Sequence, residues 1–152
     1  MKKFSKFFVA VLIFGLFIVL PVAAQKTEAD FQKMYMDYLK KRGYNPEILE
    51  DGNVYFQYDG NGFYIFLNVK EPQDFVIFTF VPMQAAADKA FMAAHRTNQN
   101  NYGVKAAVFP NSGRVFVSVE HILPKPKDFS LVFDKLMESL VDAALYYLSE
   151  VR

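Results

Sequence analysis

The chain has 152 residues, of which 53% are hydrophobic and 17% aromatic, and its formal net charge is +1 with no cysteine. Those figures exclude a disulfide-stapled scaffold, a thiolate nucleophile and a lipid-modified cysteine. A near-neutral balance also excludes the strongly basic surface that a generic nucleic-acid binder needs to displace phosphate counterions.

The first 24 residues read as a processing segment. Lys2, Lys3 and Lys6 precede an apolar run from Phe7 to Leu20, and Pro21-Val22-Ala23-Ala24 follows with small residues at Val22 and Ala24. This layout predicts a secretory signal peptide over residues 1–24, cut at the bond to Gln25, and an exported chain, periplasmic or extracellular. The competing expectation is an uncleaved anchor, because Phe7 to Ala24 reaches the lower end of the roughly 17 to 25 residues that cross a bilayer. Without the leader, 14 basic residues face 16 acidic ones, and residues 25–152 have the size of one independently folding domain.

Thr27-Glu28-Ala29-Asp30 is a near capping box, with Asp where Glu or Gln is usual. Behind it Phe31, Met34, Tyr35, Tyr38 and Leu39 recur at the spacing of one buried helical stripe. Gly43 and Pro46 end that helix. Lys40-Lys41-Arg42, the longest basic cluster of the domain, suits the negative end of the helix dipole.

Three strands are expected next, Val54 to Tyr58, Phe63 to Val69 and Phe75 to Val81, all rich in β-branched and aromatic residues. Asp59-Gly60-Asn61-Gly62 joins the first two as a tight hairpin, and Glu71-Pro72-Gln73-Asp74 turns the chain into the third. Pro82 ends that strand, and the alanine-rich run from Met83 to Asn98 predicts a helix with Ala87, Ala90, Phe91 and Ala94 facing inward. A second hairpin runs from Val104 to Phe109, turns through Pro110-Asn111-Ser112-Gly113 and returns as Arg114 to Ile122, with Val115, Val117 and Val119 on its core face. After Pro124 and Pro126, a long helix capped by Asp128 carries a main stripe of Phe129, Val132, Phe133, Leu136, Leu140, Ala144 and Tyr147. Met137, Val141, Leu145 and Leu148 widen that stripe until more than one neighbour is needed to cover it.

The expected class is therefore α+β, an antiparallel sheet of about five strands with three helices in the order α-β-β-β-α-β-β-α. With this order, and with the run Phe91 to Leu123 leading into an amphipathic helix, the chain resembles the YbjN-like domains, which share the type III secretion chaperone fold. The resemblance covers nearly the whole domain and rests on pattern, since no catalytic motif defines the family. It implies a non-enzymatic protein-binding or adaptor module, often a homodimer. Those chaperones are cytosolic and acidic, whereas this chain has an export-type leader and is weakly acidic, so loading of a secretion apparatus does not follow.

Catalytic groupings are not legible. His95 and His121 have no second ligand at zinc spacing, there is no G-x-S-x-G elbow, and Asp51, Asn53, Asp59 and Asn61 are explained as turn formers without a metal. No cofactor is expected. The candidate interaction surface has two parts. On the sheet, Tyr64 and Phe66 point away from the core-facing Phe63, Ile65, Leu67 and Val69, and Tyr55, Gln57, Phe78 and Phe80 extend that second face. On the last helix, Met137, Val141 and Leu145 are surplus to one stripe. Large amphipathic rings of this kind suit a surface that is wet alone and dry in complex; a helix or loop covering the same face is the competing reading. The expected partner is a protein or a second copy. The alternative function is a carrier of a small apolar ligand, held between sheet and helices by Met34, Phe66, Phe80 and Met92.

Overall fold

The computed structural model describes residues 27–152, so the expected signal peptide and cleavage site lie outside the described residues. Helix α1 spans Glu28–Lys41. The Thr27 side chain accepts from the Asp30 amide and the Asp30 carboxylate accepts from the Thr27 amide at 2.7 Å, completing the capping box that the sequence implies. At the other end, both Arg42 guanidinium nitrogens donate to the Asp134 carboxylate at 2.6 and 3.0 Å. This bidentate pair ties the end of α1 to the last helix.

Strands β1 (Glu47–Ile48), β2 (Val54–Tyr58), β3 (Asn61–Phe66) and β4 (Asp74–Pro82) precede helix α2 (Ala87–Asn100). Strands β5 (Val104–Phe109) and β6 (Arg114–Ile122) and helix α3 (Phe129–Val151) complete the chain. All strand pairs are antiparallel, in the order β1-β2-β3-β4-β6-β5. The sheet thus has six strands rather than about five, the addition being the two-residue β1, which is too short to show an alternation. The β2–β3 turn uses only Asp59 and Gly60, whose φ values of 49° and 75° are both left-handed. That is the backbone a two-residue hairpin requires, with Tyr58 pairing Asn61.

Strand β3 ends three residues before the expected Val69. The Leu67 amide donates to the Asn53 side chain at 3.0 Å, and the Asn68 side chain accepts from the Glu71 amide at 3.1 Å, so side chains take over from the ladder there. Helix α2 begins four residues later than expected, because the Met83 amide still bonds the Gly113 carbonyl and Gln84 adopts a φ of 54°. Its buried stripe is Ala90, Ala93, Ala94 and Thr97, and Phe91 faces solvent. The inward placement of Phe91 is therefore corrected: the seam of small residues is complete without it, and it lets α2 lie against β5 and α3. Asp128 stands at the α3 N-cap but makes no side-chain cap bond; a 3-10 turn at Pro126–Asp128 leads into the helix instead.

The core lies between one face of the sheet and the helices. Phe31, Tyr35 and Leu39 of α1 and Phe129, Phe133, Met137 and Leu140 of α3 meet Val54, Phe56, Phe63, Ile65, Phe75, Ile77, Val115, Val117 and Val119. Leu67 and Val69 pack only at its edge. The Tyr147 hydroxyl, buried beneath α3, donates to the Met83 carbonyl at 2.9 Å.

Candidate functional site

Among the described residues, ring contacts divide into two sets that share no member. One fills the core through Tyr35, Tyr38, Tyr44, Phe56, Phe75, Phe129 and Phe133. The other lies on the opposite face of the sheet and runs through Tyr55, Tyr64, Phe78, Phe80 and Phe116. Strand alternation separates them: Val54, Phe56, Ile65 and Ile77 point to the helices, and their chain neighbours point away.

The second set is one continuous cluster across four strands. Tyr55 and Tyr64 are directly paired, with ring centroids 5.2 Å apart. Tyr64 stacks on Phe78 at 4.9 Å, and Phe116 closes against Phe78 at 5.1 Å and Phe80 at 5.7 Å. No helix among the described residues covers this face. Phe66 and Phe80 remain 43% and 40% exposed, whereas Phe78, hemmed in by its neighbours, is only 9% exposed. Together with Asn53, Asn68 and Ile122, Phe66, Phe78, Phe80 and Phe116 line a trough of about 740 Å³. Its ends differ in charge. Arg114 places its guanidinium 5.9 Å from the Phe80 ring centre, and Asp74 and Glu120 border the other end, Glu120 in a salt bridge with Lys105.

Gly62 permits the cluster's outer margin, since a Cβ there would sit 2.8 Å from the Tyr55 ring. Ser118 is the exception in an otherwise aromatic centre. Register places it between Phe78 and Lys105; it is fully buried, and its hydroxyl finds no hydrogen-bond partner among the described residues.

The helical half of the expected surface is not brought together in the same way. Met137 is 4% exposed and belongs to the core, so it is unavailable to a partner; Val141 is half-buried and Leu145 is 60% exposed. The four residues expected to line a ligand pocket between sheet and helices do not converge. Phe66 and Phe80 are on the open face, Met92 is exposed on α2, and Met34 packs at the edge of a core already filled by side chains. Sequence reasoning did not single out Phe116, although its alternation with Val115 and Val117 carried the signal, nor Ser118, whose burial no pattern betrays.

His95 and His121 are both exposed, and no group of three His, Cys, Asp or Glu side chains able to hold a metal occurs among the described residues. Burial pushes the Tyr35 hydroxyl up to about 12 and raises that of Tyr147. Both belong to the core.

No family model matches the chain, and no curated protein matches it. Solved structures share its fold. A chain of the HopA1-SchA chaperone-effector complex superposes with a TM-score of 0.58 at 9% identity, over 79% of this chain and 94% of that one. A chain of the ExsC-ExsE complex gives 0.58 at 11%, over 80% and 93%. The structure of the Yersinia pestis type III secretion chaperone SycH with a stable fragment of YscM2 gives 0.53 at 14%, over 76% and 97%. The chain therefore has the type III secretion chaperone-like fold.

Proposed function

We propose that this chain is a non-enzymatic, chaperone-like binding module, an exported relative of the YbjN-like domains, that docks a protein partner on its open aromatic sheet face. One observation carries the reading: five rings on four strands form a contiguous patch that no helix among the described residues shelters, with Phe80 and the neighbouring Phe66 left substantially in water. Isolated exposed apolar residues are ordinary, but a contiguous aromatic patch is the composition of an interface centre. The solved chaperone-effector complex of the same fold supports a protein as the partner. Export is supported by Lys2, Lys3, Lys6 and the apolar run behind them; mass spectrometry of the protein from its native envelope should find Gln25 at the amino terminus, an intact residue 1 there would mean an uncleaved anchor, and recovery from the cytosolic fraction alone would overturn export.

The test places a photo-crosslinking phenylalanine analogue at position 66, 80 or 131 in the native host. Leu131, exposed on α3 away from the patch, is the control. Discrete protein adducts are expected at 66 and 80, absent at 131, and the adduct at 66 should vanish when Phe80 is changed to Ser. Equal adducts at all three positions, or an adduct at 66 indifferent to Phe80→Ser, would overturn the reading. A product of twice the chain mass would identify a second copy as the occupant.

A further inference from the structure

A second recess lies on the helical side of the sheet. Pairing of β3 with β4 stops at Tyr64 opposite Phe78, yet β4 runs on to Pro82. The Thr79 hydroxyl donates to the Gly62 carbonyl at 2.7 Å, replacing the ladder there. Beyond that point the β2–β3 hairpin and α3 enclose a cavity of about 170 Å³, walled by Phe63, Val81, Val141, Ala144, Leu145 and Leu148.

We propose that this cavity is a socket for one apolar side chain of a cationic segment in a partner polypeptide. Size sets the occupant first. Pockets for drug-sized molecules are roughly 300 to 1,000 Å³, so this one is too small for a lipid or metabolite of that class and suits a single leucine or phenylalanine side chain. Chemistry sets it second. The walls are mainly apolar, with Asn61 and Thr79 the polar exceptions, and Leu145 stands 60% exposed at the rim, where a neighbour would bury it.

Charge sets the flanks of the entering segment. Asp59 lies at the mouth, and Asp142 is three residues before Leu145 on the same side of α3. Neither is held in a salt bridge among the described residues, and no lysine or arginine lines the cavity. Arg42, in the adjoining depression with Asp142, is committed to Asp134, and Lys135 is bound to Glu138 and only secondarily attracted by Asp142, so Asp59 carries the larger share of the uncompensated charge. An apolar residue flanked by Lys or Arg therefore meets both the wall and the rim, whereas an acidic flank meets two carboxylates. The socket opens on the helical side of the sheet and shares only Phe80 with the trough of the open aromatic face, so it stands whether or not a partner docks there.

Titration of the isotopically labelled protein with acetylated, amidated tripeptides tests this by amide chemical shift. Lys-Phe-Lys is expected to move the amides of Thr79, Val81, Leu145 and Leu148 with a millimolar dissociation constant, weakening severalfold as salt rises from about 50 to about 500 mM. Glu-Phe-Glu should bind at least about fivefold more weakly, and Lys-Ala-Lys should leave those amides in place. Filling the cavity with Ala144→Met should abolish the shifts. Leu145→Ser, at an exposed site that leaves the core intact, should weaken them severalfold. The proposal is overturned if Lys-Phe-Lys at about 20 mM moves none of those amides, if the shifts persist in both variants, or if they appear only around Phe66 and Phe78.

Discussion

Tyr64 lies flat on Phe78, with the rings 9° from parallel across a directly paired position of β3 and β4. Phe78 is the foundation of the open-face cluster and Phe80 its accessible member, with Phe66 exposed beside it along the trough, so truncations should separate stability from binding. Phe78→Ala should cost about 3–5 kcal/mol, as for a buried ring, and Tyr64→Ala about 1–2 kcal/mol through the lost cross-strand pair. Phe80→Ser forfeits its contacts with Tyr64, Phe78 and Phe116 but starts from a site 40% exposed, so it should cost about 1–2 kcal/mol while removing the crosslinked partner. Urea unfolding read beside crosslinking yield checks this. A binding loss that follows the stability loss in all three variants would mean that the face is only structural.

Gly62 and Tyr55 form a second dependent pair. A methyl group at residue 62 would press on the Tyr55 ring at 2.8 Å, and that ring is already held against Tyr64. Gly62→Ala should destabilise the protein by about 1 kcal/mol, and most of that cost should disappear in a Tyr55→Ala background, where the obstruction is gone. A double-mutant cycle by urea denaturation measures the coupling. Additive effects would show that the glycine is needed for another reason.

Alkaline pH should weaken the fold through Tyr35. Burial raises its hydroxyl to about 12 from the ordinary 10, so the folded state holds the proton more tightly than the unfolded one. Its contribution is present in full below pH 10 and is lost as pH rises through 12, a total of roughly 2–3 kcal/mol. Tyr147, also raised by burial, acts in the same direction. Tyr35→Phe conserves the ring, so its stability at pH 7 should change by less than about 1.5 kcal/mol and its decline towards pH 12 should be shallower than that of the parent. Parallel declines for the two proteins would show that Tyr35 does not titrate with unfolding.

Legibility followed the strength of each local pattern. α1 was readable end to end because its cap, stripe and stop all agree, and β6 because Val115, Val117 and Val119 alternate without interruption. The faces of β2 and β3 were readable for the same reason, which is how Tyr55, Tyr64 and Phe66 could be placed together. β1 was not readable: Glu47 and Ile48 carry no periodicity, and they form a strand only because β2 is there to pair with. The orientation of α2 is not legible because a seam of alanines has little hydrophobic contrast, and one phenylalanine beside it dominates the pattern while facing water. Met137, Val141 and Leu145 were grouped by helical spacing, but the packing of α3 divides them into core, margin and surface. The cavity beside Leu145 arises where β3 and β4 part, a tertiary event with no sequence period.

Ser118 separates a structural from a binding role for the centre of the open face. Its hydroxyl is buried opposite Phe78 and unpaired among the described residues, and a buried polar group without a partner costs about 1–3 kcal/mol. Ser118→Ala removes the group while keeping the Cβ that touches the rings, so the free protein should gain about 0.5–1 kcal/mol in urea denaturation. Being fully buried, the hydroxyl is out of a docked partner's reach while the rings stay closed, so the same variant should leave partner crosslinking at position 80 unchanged. A substitution that stabilises the fold and impairs capture cannot act through unfolding, so that combination would show that the rings part on docking and expose Ser118. Stabilisation with capture unchanged would leave the rings as the whole of the recognition surface.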